Sequence, residues 1–154
     1  MPTNAADGAK QLAWGRAGGD VIVLLHAAKN APDADWDAYL AFIKTVRVEP
    51  ERLRTLVFSD GGRPTFEQRR RLADLVRGRP SRVAIVTDSS SIHFISAQLS
   101  LEGPSSRTFS CADFRDAVTH LGLTAADQAS VKERVAQLLA SISQCNSAKL
   151  VLGI

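Results

Sequence analysis

The stretch Leu53–Leu72, LRTLVFSDGGRPTFEQRRRL, decides the fold. Its first seven residues form a short apolar run of strand length. Asp60-Gly61-Gly62-Arg63-Pro64 is turn chemistry, and the period then changes to that of a helix, with Leu72, Leu75 and Val76 expected to face inward. Thr65 and Gln68 stand at capping-box spacing and mark the helix start. The pattern recurs in RVAIVTDSSSIHFISAQL, residues 82–99. There a strand over Arg82–Thr87 leads through Asp88-Ser89-Ser90-Ser91 into a segment over Ile92–Leu101, where Ile92, Ile95 and Leu99 fit one helical face. Alternation of Ile95, Ala97, Leu99 and Leu101 also fits a strand there.

Working outward, Val21–His26 is an unbroken Val/Ile/Leu run that reads as a strand buried on both faces. Lys10–Trp14 reads as its hairpin partner across GRAGGD. Asp33 is expected to cap a helix carrying Trp36, Leu40, Ile43 and Val46, ended by Pro50. Arg107–Ser110 reads as a last strand, followed by a helix from Ser110 to His120 closed by Gly122. Thr124 opens a long amphipathic helix to about Ser143. Its apolar seam of Val131, Val135, Leu138 and Ile142 suits either its own core or a dimer handle. The resulting order, β-β-α-β-α-β-α-β-α-α, predicts one α/β domain with a mixed, mostly parallel sheet and an antiparallel edge. Residues 1–9 read as a flexible tail, 10–122 as the domain and 123–154 as a C-terminal helical extension.

The 154 residues, 45% hydrophobic and 23% charged, have a globular composition and suffice for one core. The longest apolar run, Val21–Leu25, is too short to span a bilayer, and no secretory leader is visible in MPTNAADGAK. Cys111 and Cys145 match neither a disulfide framework nor a zinc site, which points to a reducing cytoplasm. The net charge of +3 conceals an asymmetry: eleven basic and five acidic residues lie between Lys44 and Arg82. Arg69, Arg70 and Arg71 are consecutive and cannot all share one helix face, and no nucleic-acid motif accompanies them, so no nucleic-acid partner is expected.

Two strand-to-helix junctions, Asp60–Thr65 and Asp88–Ser91, are the candidate site. Parallel neighbours would bring both to the carboxyl edge of the sheet, where α/β folds bind ligands, and helix N-termini there favour anions. The residues expected to contact a partner or anion are Asp60, Gly61, Gly62, Arg63, Thr65, Asp88, Ser89 and Ser90, with Arg69 and Arg70 beside them. Turn and capping needs alone select the same residue types. Neither GxGxxG nor a P-loop is present, which excludes the common nucleotide fingerprints. A nucleophilic triad can be drawn from Ser89, Ser90 or Ser91 with His26 and Asp60, but the G-x-S-x-G elbow is missing. His93 and His120 lack partners at ligand spacing, so no metal and no cofactor is expected.

The element order, with TLVFSDGGRPTFEQRRRL, RVAIVTDSSSIHFISAQL and then FSCADFRDAVTHLGL, resembles the STAS/SpoIIAA-like superfamily of anti-sigma-factor antagonist relatives over about residues 10–122. The resemblance implies a small cytoplasmic bacterial module that is not an enzyme and binds a protein partner, such as a kinase or an acidic regulator. It also implies phosphorylation of a hydroxyl at the helix start after the third strand, which here is Thr65. The family's Asp-Ser-Ser/Thr-Gly motif is absent, and Asp88-Ser89-Ser90 stands one strand later without the glycine, making Ser89 and Ser90 further candidates. The expectation is therefore a regulatory docking module, with a nucleotide- or lipid-like ligand between the helices as its first rival and a hydrolase as its second. A pocket of a few hundred cubic ångströms at the edge would favour a ligand, and a flat surface a protein partner.

Overall fold

A computed structural model describes residues 10–46, 53–76, 81–99 and 106–154. Five strands, β1 (Leu12–Ala17), β2 (Val21–His26), β3 (Leu53–Ser59), β4 (Ser81–Val86) and β5 (Ser106–Phe109), lie side by side in chain order. β1 is antiparallel to β2, and the other pairs are parallel. The helices are α1 (Asp33–Thr45), α2 (Phe66–Val76), α3 (Ser90–Leu99), α4 (Phe114–Leu121), α5 (Ala125–Leu139) and α6 (Asn146–Leu152), and a 3-10 turn at Cys111–Asp113 precedes α4. No helix among the described residues is long and apolar enough to cross a membrane.

Progressive strand order has a direct consequence. Crossovers of one hand along such a sheet all stack on one face, so the opposite face must be covered by whatever follows the last strand. The two cores divide accordingly. Ile22, Leu24 and Leu53 pack with Trp36, Tyr39 and Ile43 of α1, and Leu72, Leu75 and Val76 of α2 lie against them. On the opposite face Val23, Leu25, Leu56, Phe58, Ala84 and Val86 meet Val118 and Leu121 of α4, Val131 and Val135 of α5, and Ala148 of α6. The period-2 alternation of β2 serves both cores, which is why all six of its residues are buried.

Several expectations change in detail. The hairpin turn is shorter than GRAGGD: Gly15, Arg16 and Ala17 belong to β1, and the chain reverses over Gly18–Asp20 with Gly19 at φ 78° and Asp20 at φ 60°. Arg134 of α5 donates from Nε to the Arg16 carbonyl and its side chain packs so closely on Gly15 that a Cβ there would stand 2.9 Å from Arg134 Cδ. Asp33 does not cap α1. Pro32 is the N-cap residue, and the Asp33 carboxylate instead accepts from Gln68 Nε2 at 2.6 Å. Tyr39, not Leu40, is the buried residue on the middle of α1. The 92–101 segment is helical from Ser90 to Leu99; Ser100 and Leu101 lie outside the described residues.

The C-terminal segment is two helices. α5 begins with a capping box between Thr124 and Asp127, ends at Leu139, and a turn leads to α6. The seam faces its own sheet, with Val131 and Val135 each 1% exposed and Ile142 at 8%. It therefore presents no free apolar stripe to a second copy.

Arg54 ties the amino edge together. It donates from Nη1 to the Leu121 and Gly122 carbonyls at the end of α4 and from Nη2 to the Gly19 carbonyl of the hairpin, and it lies 3.7 Å from the Asp127 carboxylate at the start of α5.

Candidate functional site

Because β2, β3 and β4 run parallel, the segments Ala27–Asn30, Asp60–Thr65 and Asp88–Ser90 come to one edge, as expected. The Asp60 and Gly62 N–H groups donate to the carbonyls of His26 and Ala27, which fixes the β2 and β3 ends against each other. Ser59 Oγ donates to the Gly62 carbonyl and accepts from Gly61 N–H, closing the turn from within. Gly62 is irreplaceable by shape: a Cβ there would stand 2.1 Å from His26 Nδ1 and 2.4 Å from the Ala27 carbonyl.

The two acidic residues of the junctions stay at the edge, Asp60 half-buried and Asp88 exposed, but their carboxylates are committed to backbone N–H groups. Asp60 accepts the backbone N–H groups of Asn146 and Ser147, at 2.5 and 2.8 Å, and so caps α6 from the opposite layer. Asp88 does the same at the turn before α4, accepting from Cys111 N–H at 2.9 Å. A carboxylate at a helix start satisfies orphan N–H groups and complements the dipole. The hydroxyls are also engaged. Thr65 and Gln68 form the expected reciprocal cap, and Ser89 Oγ accepts from Ile92 N–H at the start of α3. Thr65 and Ser90 are nonetheless exposed, and Ser89 is half-buried.

The triad is not assembled. His26 is 2% exposed, sits beneath Gly62 and directs Nδ1 to the Ala27 carbonyl at 3.2 Å. Its Nε2 is buried without a partner, as is Nε1 of Trp36, whose ring centroid is 5.9 Å from the imidazole. Burial pulls the His26 pKa down to about 4 and keeps the ring neutral. Both thiols are free and buried. Burial pushes Cys145 up to about 12 and also raises Cys111, so both remain protonated at neutral pH. His93 directs Nε2 to the Thr87 carbonyl at 2.7 Å, and His120 lies against Phe109 with ring centroids 5.9 Å apart. No group of three or more His, Cys, Asp or Glu among the described residues is arranged to hold a metal ion.

The arginine cluster is partly neutralised. Arg70 pairs with Glu67 at 2.8 Å and Arg71 with Asp37 at 3.0 Å. Arg69 instead lies over the Phe66 ring, 5.9 Å from its centroid.

The edge holds a cleft of about 750 Å³, the kind of pocket expected to favour a ligand, lined by Ala28, Lys29, Asp60, Ser89, Gln144 and Leu150 among others. Its far wall comes from the segment around α6, whose placement follows from the Asp60 cap. Only that long-range bond could have revealed it, and periodicity carries no trace of one. No family model, no curated protein and no solved structure matches this chain.

Proposed function

We propose that this chain is a cytoplasmic, non-catalytic STAS-like module that docks a protein partner through the carboxyl edge of its sheet. The observation that carries the reading is the division of labour at that edge. The groups capable of acid–base or nucleophilic chemistry are committed to structural contacts: His26, which is buried, to a backbone carbonyl, and Asp60 and Asp88 to the N–H groups of α6 and of Cys111. The groups that face solvent suit recognition: Arg63, exposed at the α2 junction, and Phe66, 75% exposed. Phosphorylation of Thr65 fits the same reading, because a phosphate there stands at the α2 N-terminus within the reach of the neighbouring arginines. The experiment is paired affinity capture from native lysate with the intact chain and its Arg63→Glu variant, with phosphosite mapping. A protein retained by the first and lost by the second, at equal melting temperature, supports docking; equal recovery contradicts it.

The cleft favours a second reading, a small polar ligand held against α6. Its volume lies in the range of ligand sites. Native mass spectrometry of the purified chain separates the two readings, since a retained small molecule of constant mass supports the ligand.

A further inference from the structure

α2 and α3 follow adjacent parallel strands, so both begin at the carboxyl edge. Each carries an exposed aromatic residue in its first half: Phe66 is the first residue of α2 and 75% exposed, and Phe94 is the fifth residue of α3 and 66% exposed. These are two of the four large apolar side chains exposed among the described residues. Neither contributes to a core, so folding gives no reason for a phenylalanine at either position.

The charges around them are sorted by partner. Five carboxylates at this end are occupied: Asp33 by Gln68, Asp60 by the α6 N–H groups, Asp88 by Cys111, and Glu67 and Asp37 by Arg70 and Arg71. Lys29, Arg63 and Arg69 have no carboxylate partner among the described residues. The edge therefore carries three cations without a carboxylate partner, and the two exposed phenyl rings stand on the two helices that leave it. Aromatic and arginine side chains dominate the energetics of protein interfaces, and an anion gains most from cations not already paired.

We infer that the Phe66–Phe94 edge, with Lys29, Arg63 and Arg69, docks an acidic partner segment that carries apolar side chains. The inference rests on the protein-docking reading and specifies its chemistry. Carboxylates on the segment meet the three cations, and its apolar side chains cover the two rings. A nucleic acid fits less well, because phosphates call for a continuous track of cations. Here Arg70 and Arg71 are already neutralised, and Asp60 and Asp88 line the adjoining cleft.

The test is selection of a random 16-residue peptide display library on the immobilised full chain, followed by fluorescence anisotropy of the enriched peptides. Two double variants, Arg63→Glu/Arg69→Glu and Phe66→Ala/Phe94→Ala, provide the controls. The expected peptides are rich in Asp and Glu with interspersed Leu, Ile or Phe. They bind each double variant at least ten-fold more weakly, at unchanged melting temperature. Edge-dependent peptides that are neutral or basic overturn the partner chemistry and leave the docking reading intact. No enrichment, or peptides insensitive to both variants, overturns both. A single-stranded DNA 20-mer that binds as tightly as the best peptide and is lost in the arginine variant overturns the proposal in favour of nucleic acid.

Discussion

The Asp60 carboxylate, at the end of β3, accepts the backbone N–H of Ser147 at 2.8 Å, 87 residues further along the chain. Ser147 returns the contact by donating from Oγ to the Ser59 carbonyl, also at 2.8 Å. This exchange bolts α6 onto the sheet and builds the far wall of the edge cleft. A residue that a sequence reading assigns to ligand binding thus serves the architecture around the binding edge.

Replacing Asp60 with alanine removes an acceptor from two helix N–H groups. The expected cost is about 0.5–2 kcal/mol, the usual range for a lost helix cap. Chemical denaturation measures it, and amide exchange is expected to quicken first over Asn146–Leu152 rather than in β2.

Gly62→Ala is expected to be worse, at more than about 2 kcal/mol, since its methyl group meets both the His26 ring and a backbone carbonyl. Gly61→Ala, where the nearest atom is 3.6 Å away but φ is 131°, acts through backbone strain alone. Comparing the denaturation midpoints of the two variants separates close approach from conformation.

His26 gives stability a defined pH dependence. Its pKa is about 4 in the folded chain against 6.5 when unfolded. The unfolded state therefore takes the proton first as pH falls, and stability is full above pH 6.5 and erodes from there down to about pH 4. The loss approaches about 3 kcal/mol by linkage. In His26→Leu the acid limb between these values is expected to flatten; an unchanged limb in urea titrations would assign it to other groups.

Much of the fold was legible because local chemistry and tertiary structure agree. Thr65 and Gln68 cap α2 as their spacing implied, and β2 is buried on both faces as its unbroken apolar run implied. The site was legible only as a location. Asp60, Asp88, Ser89 and Thr65 all reach the edge, but the partners that occupy the two aspartates lie in α6 and in the turn before α4, and no short-range pattern records such pairings. α6 itself escaped notice, since seven residues are too few for a helical period, and its docking depends on Cys145 and Ala148 entering a core laid down much earlier in the chain.

Deleting residues 124–154 is expected to abolish folding. Val131, Val135, Cys145 and Ala148 are each at most 1% exposed and cover a sheet face that the crossover helices cannot reach. A broadened amide spectrum and aggregation of the truncated chain are the predicted outcome. A well-dispersed monomer spectrum would show that residues up to 123 fold alone.

The proposed docking surface is the carboxyl edge of the sheet. Hydrogen exchange on the full chain, free and bound to the captured partner, tests it most directly. New protection is expected over residues 60–69 and 88–94. Protection confined to the opposite edge, around the hairpin at Gly18–Asp20 and the Arg54 contacts, would contradict it.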